Sequence, residues 1–503
     1  MEIFTLSLLL IVCYSLYYYF NKQLRFFHDK NLPYKSGWPL FGNFFYAFLR
    51  RKHMLDIIEE IYKVNSEAKY IGGFNFTKPV FVIRDLDLIK NITIKNFDHF
   101  QDHRTFFDAN TDKIMGGNVF NLKGDVWRES RNLLSPVFTS KKMKAMFELM
   151  VDCGERFVNY LEKQSEESRK IVDTKNLFTK FTNDVIATCA FGITVDSLKN
   201  PENDFYVLGR KVTNFEGQQM LKFLIAGAFP KLIKWLKIKF VDDKTRIFFE
   251  NIVSTTIALR DAKGISRPDM LQHLIDSRNK DYKHFTLDMT YITAQLFIFF
   301  FGGFETTSSQ MCIIAHELAI NPDIQKRLQN EIDKVLEETN GRPTYEAITE
   351  MAYLDAIFNE SLRLHTQGGI IDRVCTKAFE LPPALPDSKP FSMQPGMNIW
   401  IPASAIHRDP NYYENPTKFD PDRYFQKKVS INDVFNLGFG IGPRSCIGNR
   451  FALLETKILI FSLLSKFNLK PNAKTCSPFK YSAVVFNIKP VGGYTLSIEC
   501  RNK

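Results

Sequence analysis

Apolar and polar positions divide the chain into regions of different texture. From Ile3 to Phe20 the sequence carries no charge, and its polar side chains are Thr5, Ser7, Ser15 and several tyrosines. About 20 apolar residues span a bilayer, so the segment predicts a short transmembrane helix. Tyr17, Tyr18 and Tyr19 stand where an interfacial aromatic belt belongs. Glu2 precedes the run and Lys22, Arg25 and Lys30 follow it. The positive-inside rule then predicts a single pass with the remainder on the cytosolic side, where the sequons at Asn75 and Asn91 stay unmodified. A cleaved secretory peptide would need a basic start and a small-residue cleavage site, and neither is present. Pro33, Gly37, Pro39 and Gly42 predict a stiff, turn-rich connector. The chain therefore reads as an anchor at 1–21, a connector at 22–42 and one folded body at 43–503.

Within the body, residues 70–84 look β-rich, with Gly72-Gly73 as a turn and Val80–Ile83 as a strand. From Trp127 to about Leu336 helical periodicity dominates, as in Ser140–Gln164 and Phe178–Phe191. Leu381–Pro402 predicts short strands and turns, and Val484–Ile488 with Tyr494–Ile498 predicts a hairpin across Gly492-Gly493. Lys231–Phe240 alternates lysines with apolar residues, a pattern shared by a membrane-surface helix and by an ordinary solvated one. The fold class expected is mainly α with small β-sheets.

Composition narrows the picture further. No Ser/Gly-rich linker or repeat divides the 503 residues, which argues for one large domain. Eight scattered cysteines without a Cys-x-x-Cys argue against a disulfide framework or a zinc site, and for a reducing compartment. The net charge of +11 comes from dispersed lysines with no basic, aromatic-interleaved module, so no nucleic-acid partner is expected. Anionic lipid or an acidic protein partner suits such a surface.

The densest chemical signal is Phe439-Gly440-Ile441-Gly442-Pro443-Arg444-Ser445-Cys446-Ile447-Gly448. One cysteine sits among glycines that let backbone approach a flat group, with a cation two residues before it. A buried, inert thiol is the commoner fate of a lone cysteine. Gly438-Phe439-Gly440 lacks the third glycine and the strand–turn–helix setting of a dinucleotide fingerprint. His407-Arg408-Asp409 lacks the companions of a kinase catalytic loop. The run fits Phe-x-x-Gly-x-Arg-x-Cys-x-Gly throughout and resembles the haem-binding loop of cytochrome P-450, the haem-thiolate monooxygenases.

Other segments carry the same resemblance. Phe301-Gly302-Gly303-Phe304-Glu305-Thr306-Thr307 puts two glycines and a carboxylate inside an apolar helical pattern. Such a local violation usually marks function, although a packing kink would leave the same trace. The segment is similar to the family's oxygen-binding motif. That implies Thr306 as the hydroxyl relaying protons, Glu305 as the carboxylate supplying them, and Gly302 and Gly303 as a groove at the haem. Glu360-Ser361-Leu362-Arg363 puts opposite charges one helical turn apart. With Arg423 in Phe419-Asp420-Pro421-Asp422-Arg423-Tyr424, it resembles the buried lock beneath the haem loop. Trp127 and Arg131, one turn apart, resemble the family's haem-propionate pair. Arg444 and Arg373 correspond to further propionate ligands, and the resemblance places Phe439, Gly440, Gly442 and Gly448 around the porphyrin. One departure is visible: Thr366-Gln367 stands where members commonly have Pro-Pro, which is expected to change a wall of the substrate pocket.

The resemblance covers essentially the whole chain and is nearest to insect microsomal, detoxification-type members. It implies haem b held by Cys446, which is also the one metal ligand. It further implies an NADPH- and oxygen-dependent monooxygenase acting on lipophilic small molecules at the endoplasmic reticulum membrane. Electrons would come from NADPH-cytochrome reductase, with cytochrome b5 as an additional donor. Lys141, Lys142 and Lys144 could dock such a partner or simply be solvated. Two other classes stay open at this point: an oxygen-independent haem-thiolate isomerase or dehydratase, and a non-catalytic haem-binding sensor.

Overall fold

The computed structural model describes residues 2–214, 217–430, 433–483 and 488–501. Helix α1 (Glu2–Gln23) is long and apolar enough to cross a membrane, and its apolar stretch is not buried against the rest of the chain. The connector after it is held to the body. Leu24, Phe27 and Leu32 are buried, and the connector pairs with the first strand through Tyr34 opposite Gly72 and Gly42 opposite Asn75.

Among the body's helices are α2 (Gly124–Leu134), α3 (Ser140–Glu162), α4 (Thr174–Ile186), α5 (Asp204–Thr213), α6 (Asp243–Lys263), α7 (Met289–Ile320), α8 (Ala352–Leu364) and α9 (Asn449–Lys466), with further helices, Pro322–Glu338 the longest of them, in between. Helix α7 forms the axis of the bundle, and most of its side chains are buried. Its Asp288 cap accepts from the Tyr291 N–H, satisfying a donor that the helix start leaves open. Phe297, Phe300 and Phe304 are buried and join Phe205 and Phe249 in a cluster of edge-to-face and tilted rings. The Phe300 ring lies where a Cβ on Gly209 would be, 2.1 Å away, so α5 seats against α7 only through that glycine.

Among the described residues, nine strands form three small sheets. The largest has the order β1 (Tyr70–Asn75), β2 (Lys78–Ile83), β7 (Asn398–Ile401), β4 (Ile371–Val374). Strand β2 runs parallel to β7, with Val80 opposite Asn398, so most of the helical body lies in the crossover between them. Gly72 and Gly73, expected as a turn, sit inside β1 opposite Phe81 and Val80. The turn falls at Phe76, which adopts φ 54°. Gly72 is needed for another reason: the Phe27 ring lies 2.4 Å from where its Cβ would be.

Strands β3 (Val172–Asp173), β9 (Thr495–Cys500) and β8 (Phe467–Lys470) make the second sheet, and β5 (Phe379–Leu381) with β6 (Phe391–Met393) the third. Strand β9, the second arm of the expected C-terminal hairpin, pairs with β3 and β8. Residues 484–487 of the expected first arm lie outside the described residues. The Lys231–Phe240 pattern also divides. It is helical only over Pro230–Trp235, Lys237 has φ 51°, and Ile233 and Phe240 turn inward while Leu232, Trp235 and Leu236 stay exposed.

Candidate active site

Helix α7 presents different chemistry on adjacent faces around its double glycine. A Cβ on Gly302 would meet nothing within 4 Å, whereas one on Gly303 would lie 2.9 Å from Ile186 Cδ1 on α4. Gly302 therefore opens a notch, and Gly303 permits helix contact. Thr306, one turn on from Gly302, is exposed on the same face, and its hydroxyl donates to the Gly302 carbonyl. Glu305 points elsewhere. Its carboxylate lies 3.0 Å from Lys175 Nζ at the start of α4. Lys175 also donates to the Glu305 carbonyl (3.1 Å) and to the Ser308 and Ser309 hydroxyls (2.8 and 2.7 Å). This ion pair borders a cavity of about 510 Å³ with mixed lining, including Asp173, Asn176, Arg210 and Tyr494 beside Phe304 and Ile488. Lys175 was not legible as a site residue. It lies 130 residues before Glu305, and only the α4–α7 contact brings the two together.

The cysteine loop is closed by the Cys446 N–H donating to the Phe439 carbonyl (2.8 Å) and the Ser445 N–H donating to Gly442 O (2.9 Å). Gly440 and Gly442 adopt φ of 78° and 74°, conformations that L side chains resist. Gly442 makes room for protein: its Cβ would lie 2.2 Å from the Thr93 carbonyl, so backbone fills the space expected for a porphyrin. Gly448 caps α9, and the Phe439 ring stacks on Phe358 of α8 at 6.0 Å. The Cys446 thiol is accessible yet deeply recessed, as in a site that opens inward. Burial raises its pKa, while the Gly448 N–H and the Arg131 charge oppose that rise.

Trp127, Arg131, Arg373 and Arg444 converge on this loop. Arg131 donates to Ser445 O (2.9 Å), and the Arg444 guanidinium stacks on the Trp127 ring at 4.0 Å. Arg444 also donates to the carbonyls of Gln101 (2.7 Å) and Leu122 (2.8 Å) and lies 3.6 Å from Asp102. Arg373, buried in β4, donates to Asp372 O (2.7 Å), but its Nε has no partner. Burial pushes Arg373 down to about 10 and Arg444 to about 9, the latter also pressed by Arg373 and Arg131. The nearby carboxylate of Asp372 is already engaged by His103 (2.9 Å) and the Arg104 N–H (2.7 Å). Three arginines around a recess thus have too little negative charge between them. A group bringing carboxylates of its own would compensate them.

Behind the loop, Glu360 receives both arms of Arg363 at 2.7 Å, with both side chains fully buried. Arg423 Nε (3.3 Å) and the Asp420 N–H (2.9 Å) complete the carboxylate. The rest of the Arg363 fork donates to the carbonyls of His407 (2.8 Å), Pro416 (2.7 Å) and Lys418 (3.1 Å). Burial works against the Arg363 charge, but Glu360 prevails and its pKa is raised. Thr366 is not a pocket wall: its side chain is buried and faces His407.

A fold of this kind, with an inward-opening thiol, an excess of buried guanidinium and a notched central helix, fits a haem enzyme. The family model of cytochrome P450 matches residues 32–494, and the chain belongs to that family. It is 42% identical to cytochrome P450 9e2 of Blattella germanica, covering 95% of this chain and 94% of that protein. It is also 38% identical to probable cytochrome P450 9f2 of Drosophila melanogaster, over 95% of each chain. Cytochrome P450 6a2 of the same fly is 35% identical over 99% of each chain. The protein is accordingly a haem-thiolate monooxygenase whose cofactors are haem b and NADPH, the latter acting through a reductase. The unpartnered Arg373 Nε and the open face at Gly302 fit haem b, with its two carboxylates and flat ring.

Proposed function

We propose that this protein uses NADPH and oxygen to insert one oxygen atom into lipophilic small molecules, at a haem held by Cys446. The observation that carries the reading is the recessed, accessible Cys446 thiol in a loop closed on Phe439 O and braced by Arg131. Trp127, Arg131, Arg373 and Arg444 would hold the propionates, and Gly302, Gly303, Gly440, Gly448 and Phe439 would bound the ring. Glu360, Arg363 and Arg423 retain the loop that carries the ligand. The haem, once bound, supplies oxygen activation assisted by electron donation from the thiolate. The chain's own residues do the rest. The Thr306 hydroxyl holds a proton at the Gly302 notch, and Glu305 exchanges protons with the cavity beside Lys175. The hydroxyl and carboxylate together favour the monooxygenase over an oxygen-independent isomerase or a sensor, neither of which requires proton delivery.

The same reading places residues 1–21 as a single-pass anchor in the endoplasmic reticulum membrane, 22–42 as the connector and 43–503 as the catalytic domain in the cytosol. Exposed Leu221, Phe229, Leu232, Trp235 and Leu236, interspersed with Lys231 and Lys234, suit the same lipid surface. Reductase and cytochrome b5 would dock on basic side chains; Lys144 is paired with Glu346, leaving Lys141 as the exposed charge there.

Carbon monoxide added to the reduced protein tests the reading. A difference band at about 450 nm is expected, reporting thiolate ligation, and Cys446→Ser should abolish it. In vesicles with reductase, NADPH and oxygen consumption should rise with a lipophilic substrate. A reduced protein without that band, or one consuming no oxygen with any such substrate, would refute the proposal.

A further inference from the structure

Thr366 stands where the family commonly has proline, and its hydroxyl occupies a defined place in a buried chain of hydrogen bonds. His407 is fully buried, and its Nε2 accepts the backbone N–H of Leu437 (2.8 Å). A neutral ring that accepts at Nε2 carries its proton on Nδ1. That nitrogen lies 2.7 Å from Thr366 Oγ1, so it donates there, and the hydroxyl passes its own proton to Arg363 O (3.1 Å). Arg363 in turn binds Glu360 and donates to the His407 carbonyl. At the other end, Leu437 O accepts from the Gly440 N–H (2.9 Å) inside the cysteine loop. The Leu437 N–H accepted at Nε2 sets the direction of this chain from the loop to the end of α8, with the carbonyls of Arg363 and Phe435 also facing the ring.

We infer that Thr366 is a positioning residue: acting through His407, it fixes the imidazole tautomer that holds the Leu437 end of the cysteine loop against α8. Proline at this position provides no hydroxyl, so the His407 Nδ1–H would lose its side-chain acceptor, and the Nδ1–H tautomer would be held by the Leu437 contact and the neighbouring carbonyls alone. The departure at Thr366 therefore acts on retention of the haem loop. This inference rests on the assignment of Cys446 as the haem ligand. The wild-type carbon-monoxide band tests that assignment separately from the Thr366 variants.

The test compares full-length Thr366→Val and Thr366→Ser with wild type. Two measurements are made: the rate at which the band at about 450 nm is lost in mild urea, and the ring-nitrogen shifts of ¹⁵N-histidine-labelled protein, with the His407 signals identified by their loss in His407→Gln. Thr366→Ser keeps the oxygen and is expected to match wild type in both. Thr366→Val is expected to lose the band about tenfold faster, with its His407 nitrogens moving away from the Nδ1–H pattern. Equal rates in Val and Ser would overturn the inference. So would faster loss in Val with unmoved His407 signals, which would reduce Thr366 to a packing role. Should Thr366→Val not fold, Thr366→Pro supplies the hydroxyl-free comparison under the same criteria.

Discussion

At the scale of single residues, the site works by managing charges taken out of water. Glu360 is stabilised by Arg363, Arg423 and the Asp420 N–H. Removing one member leaves the others uncompensated in a buried setting, which costs about 3–5 kcal/mol. Arg363→Met should therefore yield protein that melts earlier and does not retain haem, as read by its absorption spectrum. His407 gives a pH dependence with a definite sign. Burial first, then the Arg363 charge, lowers its pKa to about 3, well below the usual value of about 6.5. As pH falls from about 6.5 toward 3, the unfolded chain takes up a proton that the folded chain refuses. The stabilisation is complete above that window and is lost through it. Unfolding midpoints should fall more steeply between pH 7 and 5 in wild type than in His407→Gln. Glu305 belongs to this scale too. If it passes protons to Thr306, Glu305→Gln should slow product formation about 100-fold with substrate binding unchanged, measured by turnover and spectral titration.

Among the elements, α7 decides most. Its sequence reads as an apolar helix interrupted by Gly302, Gly303 and Glu305, and the four residues from Gly302 to Glu305 face an open notch, Ile186, an aromatic core and Lys175 in turn. The two glycines should consequently respond in opposite ways. Gly302→Ala meets no atom and gains helix propensity, so stability should hold or rise by up to about 1 kcal/mol, while the notch narrows and ligand-induced spectral shifts weaken. Gly303→Val drives side-chain atoms into Ile186 and should cost about 1–3 kcal/mol, read by thermal unfolding with little effect on ligand spectra in the protein that remains folded. The helix from Ser140 and the strand at Val80–Ile83 were legible because apolar spacing reports burial. The Gly72-Gly73 turn was misread because the same residue serves a turn and a close approach, and only the position of Phe27 tells which.

For the whole molecule, the anchor and body join at a place that sequence texture does not mark. Phe27 packs against Phe74 and Phe81 at 5.3 and 5.2 Å, inside the region that reads as a connector. Deleting residues 2–23 should free the protein from membranes in a carbonate wash and leave thermal stability within about 1 kcal/mol. Deleting 2–42 removes the Phe27 ring and should cost about 3–5 kcal/mol or more, seen as a lower melting temperature. The sequence by itself determined the family, the haem cysteine candidate, the Glu360–Arg363 pair and the apolar anchor. Each is a short-range pattern, because fixed spacing on a loop or one helical turn is encoded locally. Tertiary structure alone decided that Lys175 meets Glu305, that Gly442 yields to Thr93, that Thr366 faces His407 and that three arginines share one recess. Those partners lie tens to hundreds of residues apart, and what joins them is packing: burial removes water as the alternative partner, so each polar group must take whichever neighbour the fold brings within reach.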